Sequence, residues 1–468
     1  MITGVRPGAI AVLVWLLAAC AGPSALAPGE DPIRAVFVVQ GEGGVSIARV
    51  ISTDPACPAV DVDGVALSMT IRAVPATIPR RPAIDPPAVA KPSAFPVLVC
   101  ERRLPAGAAR ASVGGHTLPL LRREARRIVI LGDTGCAVRS AADATQACND
   151  SDAWPFAQIA AAAAAMHPDL VIHLGDYHYR ESACPDGNPK CTDSPWGYGW
   201  DAWNADFFAP AHALLAAAPW VFVRGNHESC ARAGQGWWRF LDPRPLVVGR
   251  DCNNPGNDLE GDFSEPYAVP LSADAQLIVF DSSRAGVAPL ARDDPVFSIY
   301  AGQVKRAFEL ARGTPHNFFV DHHPILGFAT DVSRQPPGVY PGNAALQSVL
   351  AAQNGPMLFP IDIDATIAGH DHLFETVSFA TTQPAQLIAG NGGTRADEPL
   401  PRPLPPGATP SRGAIVAAVT STTASGFVTL ERTTGSIWRI VAWDRRGRPM
   451  TSCELEQRKI ACRPQALP

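Results

Sequence analysis

Apolar residues run along this chain in two different rhythms. Between residues 31 and 123, short apolar runs at 33–39, 45–51, 67–74 and 96–99 are split by Gly, Pro and Asp, with no helical spacing. Runs of that kind predict the strands of a small all-β module, and the Pro-rich stretch 75–92 predicts a loop on it. From residue 126 the pattern changes. Arg127-Ile128-Val129-Ile130-Leu131 is a compact apolar run suited to a buried strand. After it, helical composition at 156–167 leads into a strand-like run at 170–174, and helical 202–218 leads into 220–223. Further strands are predicted at 276–280, 317–320, 365–368 and 386–389, with helices at 303–312 and 344–352. Such alternation predicts an α/β domain with helices packed outside sheets. The Pro-rich segment 398–412 reads as an irregular surface loop. Strands at 414–419, 426–430 and 437–442 then complete a sheet, with Thr433-Thr434-Gly435-Ser436 as a hairpin turn.

The polar residues are placed with equal regularity. Several apolar strand runs end directly in a cluster of side chains that bind cations: Gly132-Asp133-Thr134-Gly135, then Gly175-Asp176-Tyr177-His178-Tyr179, then Gly225-Asn226-His227-Glu228. Asp321-His322-His323-Pro324 and Gly369-His370-Asp371-His372 follow. In α/β sheets, ligands collect at the carboxyl ends of strands. Carboxylates, an amide oxygen, a phenolate and imidazoles suit a pair of hard to borderline cations such as iron, manganese or zinc. Gathering them at one sheet end without a cation would be costly. One such cluster is an ordinary turn; five in succession after strands are a metal site. Ser282-Ser283 also follows a strand, but the Gly-x-Ser-x-Gly elbow of a serine hydrolase is missing.

The blocks GDTG, GDYHY, GNHE, DHHP and GHDH resemble, in order, the signature blocks of purple acid phosphatases, within the calcineurin-like metallophosphoesterase superfamily. The resemblance covers roughly residues 126–394. Its most specific element is Tyr179, three residues after Asp176, where the family has a tyrosinate on ferric iron that most relatives lack. The resemblance implies an α/β fold, a β-sandwich flanked by helices, here preceded by the small all-β domain. It implies one metal, Fe(III), held by Asp133, Asp176, Tyr179 and His372. A second, divalent metal (Fe, Zn or Mn) would share Asp176 and take Asn226, His370 and one histidine of the DHHP block. Spacing to Pro324 selects His322; spacing from Val320 selects His323. We take His322 as the ligand, leaving His323 and His178 as candidate substrate contacts. His227 becomes the catalytic residue, contacting phosphate and assisting the leaving group, or alternatively ordering Asn226. Glu228 and Asp371 are expected as structural partners of the ligands, and the tryptophans of 196–203 and 237–238 as core. Two cations lower the pKa of a bound water and offset charge on phosphorus, so the implied reaction is hydrolysis of phosphate monoesters, extending to acid pH. A phosphodiesterase or nucleotide-cleaving enzyme on the same scaffold is the alternative. Readings from outside enzymology are a non-catalytic metal-binding surface lipoprotein and a structural lipoprotein of the envelope.

The ends of the chain and its cysteines add a location. Arg6 precedes an apolar run from Ala9 to Ala19, followed at once by Cys20. The run is too short for a permanent span and fits a secretory signal at 1–19. Leu17-Ala18-Ala19-Cys20 resembles the bacterial lipobox, which implies lipidation at Cys20, a tether at 20–30 and a membrane partner at the outer membrane or periplasmic face. Of the 11 cysteines, the other ten can pair as neighbours: Cys57 with Cys100, Cys136 with Cys148, Cys184 with Cys191, Cys230 with Cys252, Cys453 with Cys462. An exported protein favours such bridges, although spacing does not fix connectivity. The expected organisation is a β domain at 31–123, a catalytic domain at 126–445 and a C-terminal extension at 446–468. A net charge of -5 advertises no basic surface, so no nucleic-acid partner is expected.

Overall fold

The computed structural model describes residues 1, 31–81, 91–139 and 145–464. Ile33–Pro468 forms one compact unit. The expected signal, tether and lipidated Cys20 lie outside the described residues, as does the middle of the Pro-rich stretch.

Two large sheets dominate, and the strand pattern explains why they stack. In Arg127–Leu131, Ile128 and Ile130 enter one apolar core while Val129 and Leu131 enter another. Alternate side chains of a strand point to opposite faces, so a strand apolar on both faces must be covered on both. An eleven-stranded sheet has Arg127–Leu131, Leu170–His173 and Trp220–Phe222 as parallel neighbours at its centre. A seven-stranded sheet likewise has Ala275–Val279, His316–Val320, Ile363–Ala368 and Ala385–Ala389 parallel at its centre. Between the sheets lie Ile128, Ile130, Ile172, Leu277, Phe318, Val320, Ile367 and Leu387, all buried.

Helices close the outer faces. Phe156–Ala164 buries Phe156, Ile159, Ala160 and Ala163, one face at helical spacing, against the eleven-stranded sheet. Pro295–Ala311 and Ala344–Asn354 do the same on the other side. The first of these starts eight residues before the expected position. Asp294 accepts a hydrogen bond from the Val296 backbone N–H at 2.8 Å, and Pro295 supplies a preset first turn. The predicted helix at 202–218 is present but contains a wide π turn at Asn204–Phe208.

The N-terminal region is all-β, as its pattern predicts. Ile33–Gln40, Ser46–Ser52, Leu98–Arg103 and Thr70–Ala73 continue the eleven-stranded sheet, joined through Val39 beside Trp220. The single strand expected at 67–74 is two, Val65–Ser68 and Thr70–Ala73, which go to different sheets. Part of the expected loop, Ala76–Ile78, is a strand paired with Ser93–Phe95. Residues expected as a C-terminal extension form a hairpin, Pro449–Glu456 and Lys459–Pro464, that lengthens the same sheet at its other edge. All five expected disulfides are present. Among the described residues no helix is long and apolar enough to cross a membrane.

A buried ion cluster fastens the N-terminal strands to the loop behind the sheet. The Arg49 and Arg72 side chains are fully buried and converge on one oxygen of Glu101 at 2.7 and 2.9 Å. Arg49 also donates to the carbonyls of Phe240 and Asp242, and Arg72 to those of Trp238 and Arg244. Burial would raise the Glu101 carboxyl, but the two guanidiniums outweigh it and hold it below the ordinary carboxylate range. A carboxyl lowered in the folded state stabilises above its unfolded pKa and loses that contribution as pH falls through the folded value. Glu101→Gln should therefore cost about 3 kcal/mol of unfolding free energy at pH 7, because it leaves two buried cations underpaired. In urea titrations the gap between wild type and variant should narrow below about pH 4; a gap independent of pH would refute the charge pairing.

Candidate metal centre

The parallel strands of both sheets end at the same edge, and the five polar clusters meet there. Three of their residues sit in the left-handed region that non-glycine residues rarely adopt: Asp133 at φ 58°, Asp176 at φ 57° and His370 at φ 69°. Such backbone persists only where its surroundings enforce it. Here the turns brace each other. The Asp133 N–H donates to the Gly175 carbonyl at 3.0 Å, and the Thr134 N–H to the Asp176 carbonyl at 3.1 Å. Gly225 is required for contact: a Cβ there would stand 2.1 Å from Asp176 Oδ1.

Each of the two aspartates divides its oxygens between scaffold and centre. Asp133 Oδ2 accepts the His370 N–H at 2.9 Å, and Asp176 Oδ1 accepts the His227 N–H at 2.9 Å. The other oxygens face Tyr179 Oη, at 3.3 Å from Asp133 and 2.8 Å from Asp176. His372 Nε2 approaches the same phenol oxygen at 2.9 Å. On the far side of Asp176, His322 Nε2 lies 3.3 Å from Asp176 Oδ2 and 3.0 Å from Asn226 Oδ1. His370 Nδ1 lies 3.1 Å from Asn226 Oδ1. The structure thus brings together Asp133, Asp176, Tyr179, Asn226, His322, His370 and His372.

Proton counting shows what such a set can hold. His322 Nδ1 and His372 Nδ1 each donate to a backbone carbonyl, of Leu174 and Arg395, both at 2.8 Å. A carbonyl only accepts, so in the neutral rings both Nε2 atoms present lone pairs inward. Around Tyr179 one phenol hydrogen faces three acceptors. Burial, then the charge of Asp176, drives the Asp133 carboxyl well above its ordinary value. Burial, then Asp176 and Asp133, raises the Tyr179 phenol. Lone pairs that converge with too few hydrogens are relieved by a cation, and Asp133, Asp176 and His322 in particular lie close enough to share one. The residues fit a metal site.

His227 packs on the Tyr179 ring, 3.9 Å between centroids, and donates from Nδ1 to the His178 carbonyl at 3.1 Å. Burial, then the Arg232 guanidinium, pushes it below the ordinary imidazole value. His323 pairs with Ser282 Oγ through Nδ1 at 3.1 Å and packs on His370, 4.4 Å between centroids. The His178 side chain, expected near substrate, is fully buried against Tyr198 and Trp203; only its carbonyl reaches His227. Trp203, Trp237 and Trp238 are core residues.

Asp206, His173, Glu181 and Arg232 escaped the sequence reading. Asp206, fully buried in the π turn, accepts the backbone N–H groups of Cys136, Tyr179 and Arg180 and the Arg180 guanidinium, at 2.7–3.0 Å. It holds the loop that aims Tyr179. Glu228, foreseen as structural, accepts the N–H groups of Asp176, Tyr177 and Gly225 at 2.9–3.1 Å. His173 links the first two turns, through Gly175 N–H and Thr134 Oγ1. Arg232 forms a two-pronged pair with Glu181 at 2.5 and 2.6 Å and lies against His227. Spacing offered a hint only for the last pair, two residues after Tyr179 and five after His227. The Cys230–Cys252 bridge closes the loop that carries Arg232. Asp206→Asn puts an NH₂ group among N–H donors and should weaken metal binding about 10- to 100-fold. Equilibrium dialysis with a divalent cation measures this; unchanged affinity would show that Tyr179 needs no such support.

Residues 126–374 match the family model for the calcineurin-like phosphoesterase. The fold is shared with a purple acid phosphatase from yellow lupin (Lupinus luteus) seeds, at TM-score 0.52 and 14% identity over 88% of this chain and 72% of that one. It is also shared with PhoD, at TM-score 0.56 and 12% identity over 95% of this chain and 94% of that one. A comparison with curated proteins finds no match by sequence. The family model spans more than half of the chain and ends just past the last ligand-type cluster, so this chain belongs to the calcineurin-like phosphoesterase family, hydrolases of phosphoric ester bonds.

Proposed function

We propose that the chain is a dinuclear-metal phosphomonoesterase of the purple acid phosphatase type. One metal, Fe(III), would be held by Asp133, Asp176, Tyr179 and His372. A divalent partner (Fe, Zn or Mn) would share Asp176 and take Asn226, His322 and His370. The observation that carries this reading is the position of Tyr179, whose phenol oxygen lies 2.8 Å from Asp176 and 2.9 Å from His372. When bound, the metals would supply an acidified water as nucleophile and offset phosphoryl charge. His322 is preferred to His323 because its Nε2 faces Asp176 and Asn226, whereas His323 Nδ1 is engaged by Ser282.

The remaining steps belong to the protein. His227 would contact the phosphate together with Arg232: its Nδ1 faces the His178 carbonyl at 3.1 Å and its Nε2 faces an Arg232 N–H at 2.8 Å, so the pair presents positive charge to phosphoryl oxygens. Glu181 holds the guanidinium in place. Five disulfides favour an oxidising compartment, hence export, and the lipid anchor at Cys20 is proposed from its sequence context.

Tyr179→Phe should abolish the visible ferric charge-transfer band and lower turnover less than Asp176→Ala, which should lose metal and activity together. A band that survives in Tyr179→Phe would remove the iron–tyrosinate assignment; full metal content in Asp176→Ala would remove the shared ligand. Wild-type protein should hydrolyse an aryl monophosphate faster than a bis-aryl phosphate by at least about tenfold, a difference of ~1.4 kcal/mol in activation free energy. The reverse order would make it a diesterase.

A further inference from the structure

A cavity of about 440 Å³ opens directly beside His323 and His370. Its wall is apolar: Val287, Pro324, Ala329, Tyr340 and Pro341 line it. Ala329 and Tyr340 are direct cross-strand partners in the short hairpin of Ala329–Asp331 and Gly338–Tyr340, so they share one face of it. Val287 and Tyr340 are strongly exposed, at 90% and 51%. Together they give the cavity an apolar rim.

The Asn343 and His323 side chains of the wall are already engaged. Asn343 Oδ1 accepts the Leu346 N–H at 2.9 Å, and its amide nitrogen donates to the Gly286 carbonyl at 3.0 Å. His323 Nδ1 is paired with Ser282. Among the described residues lining the cavity there is no Lys or Arg, and Asp371 contributes the one carboxylate. Such a wall repels a second phosphate and offers few free hydrogen-bonding groups with which to read a sugar.

We infer that this cavity is the leaving-group subsite, and that it selects phosphate esters whose leaving group is uncharged and aromatic, with Tyr340 and Val287 as the residues that set the preference. The inference rests on the proposed phosphoesterase reading. It adds the substrate class: aryl monoesters, in preference to nucleotides and sugar phosphates.

The test uses the metal-loaded full chain with phenyl phosphate and 2-naphthyl phosphate, whose leaving groups have similar acidity but differ in apolar size. Wild type should favour the naphthyl ester in kcat/KM by about tenfold, the discrimination an apolar pocket gives to added carbons. Tyr340→Ser should bring the ratio near one, with the larger loss in kcat/KM on the naphthyl ester; Tyr340→Phe, which keeps the ring, should restore the ratio. Val287→Lys, at a position too exposed to disturb folding, should raise kcat/KM for an ester whose leaving group carries a second phosphate. A wild-type ratio near one, or a ratio untouched in Tyr340→Ser, overturns the subsite and leaves the phosphoesterase reading intact. Calorimetric binding of 2-naphthylphosphonate, which cannot be hydrolysed, separates the two. If no ester is turned over but the phosphonate binds about tenfold more weakly to Tyr340→Ser, the pocket stands and the proposed activity falls. Equal binding to both proteins overturns the pocket whatever the activity.

Discussion

Two carboxylates buried side by side are the constraint around which this molecule is arranged. Asp133 and Asp176 are both essentially inaccessible to water and both point at one phenol oxygen. Burying like charges together is unfavourable, by several kcal/mol per ion unless it is offset. The offsets are visible. One oxygen of each aspartate takes a backbone N–H from a neighbouring turn, and the turns are pinned in turn by Glu228 and Asp206, each accepting three backbone N–H groups. The inward oxygens keep their lone pairs for something positive. Stability and chemistry therefore compete for the same oxygens, and the left-handed backbone at Asp133, Asp176 and His370 marks where the scaffold yields.

The double-sheet architecture is what makes that concentration of charge possible. Parallel strands from each sheet deliver their carboxyl ends to one edge, so residues from 133 to 372 meet without any long loop having to find its place. The three-residue strand Trp220–Phe222 is flanked by Leu170–His173 on one side and Ile33–Gln40 on the other. The N-terminal strands thus brace the element that leads to Asn226 and His227. Arg49 and Arg72 continue that bracing into the segment after the tryptophans.

Much of this was legible in the sequence because strand ends are local. An apolar run that stops at Gly-Asp or Gly-Asn announces both the strand and the polar group it carries, and Asp133, Asp176, Asn226 and His370 were found that way. The supporting residues were not, because their role depends on contacts between distant segments. Asp206 sits in what reads as an ordinary helix, and nothing local shows that a wide turn aims its carboxylate at Cys136 and Tyr179. The strand Phe374–Phe379 was missed because polar and apolar residues share a fully buried segment. The His178 ring, expected near substrate, packs on Tyr198 and Trp203, as Tyr177 beside it packs on Trp203 and Trp237, so a loop between ligand positions also feeds the core. The start of the helix at Pro295 was missed because Asp-Pro reads equally well as a turn.

The bridge between Cys230 and Cys252 ties the chemistry to the surroundings in which the chain folds. Closing that 22-residue separation removes roughly 3 kcal/mol of disorder from the unfolded chain. Gly234 and Gly261 lie so tightly on its sulfurs that a methyl group at either would stand within 2.7 Å. Reducing the bridge would release that constraint on the segment that carries Arg232. A copy folding in a reducing compartment would therefore start without one of the ties that hold this segment in place.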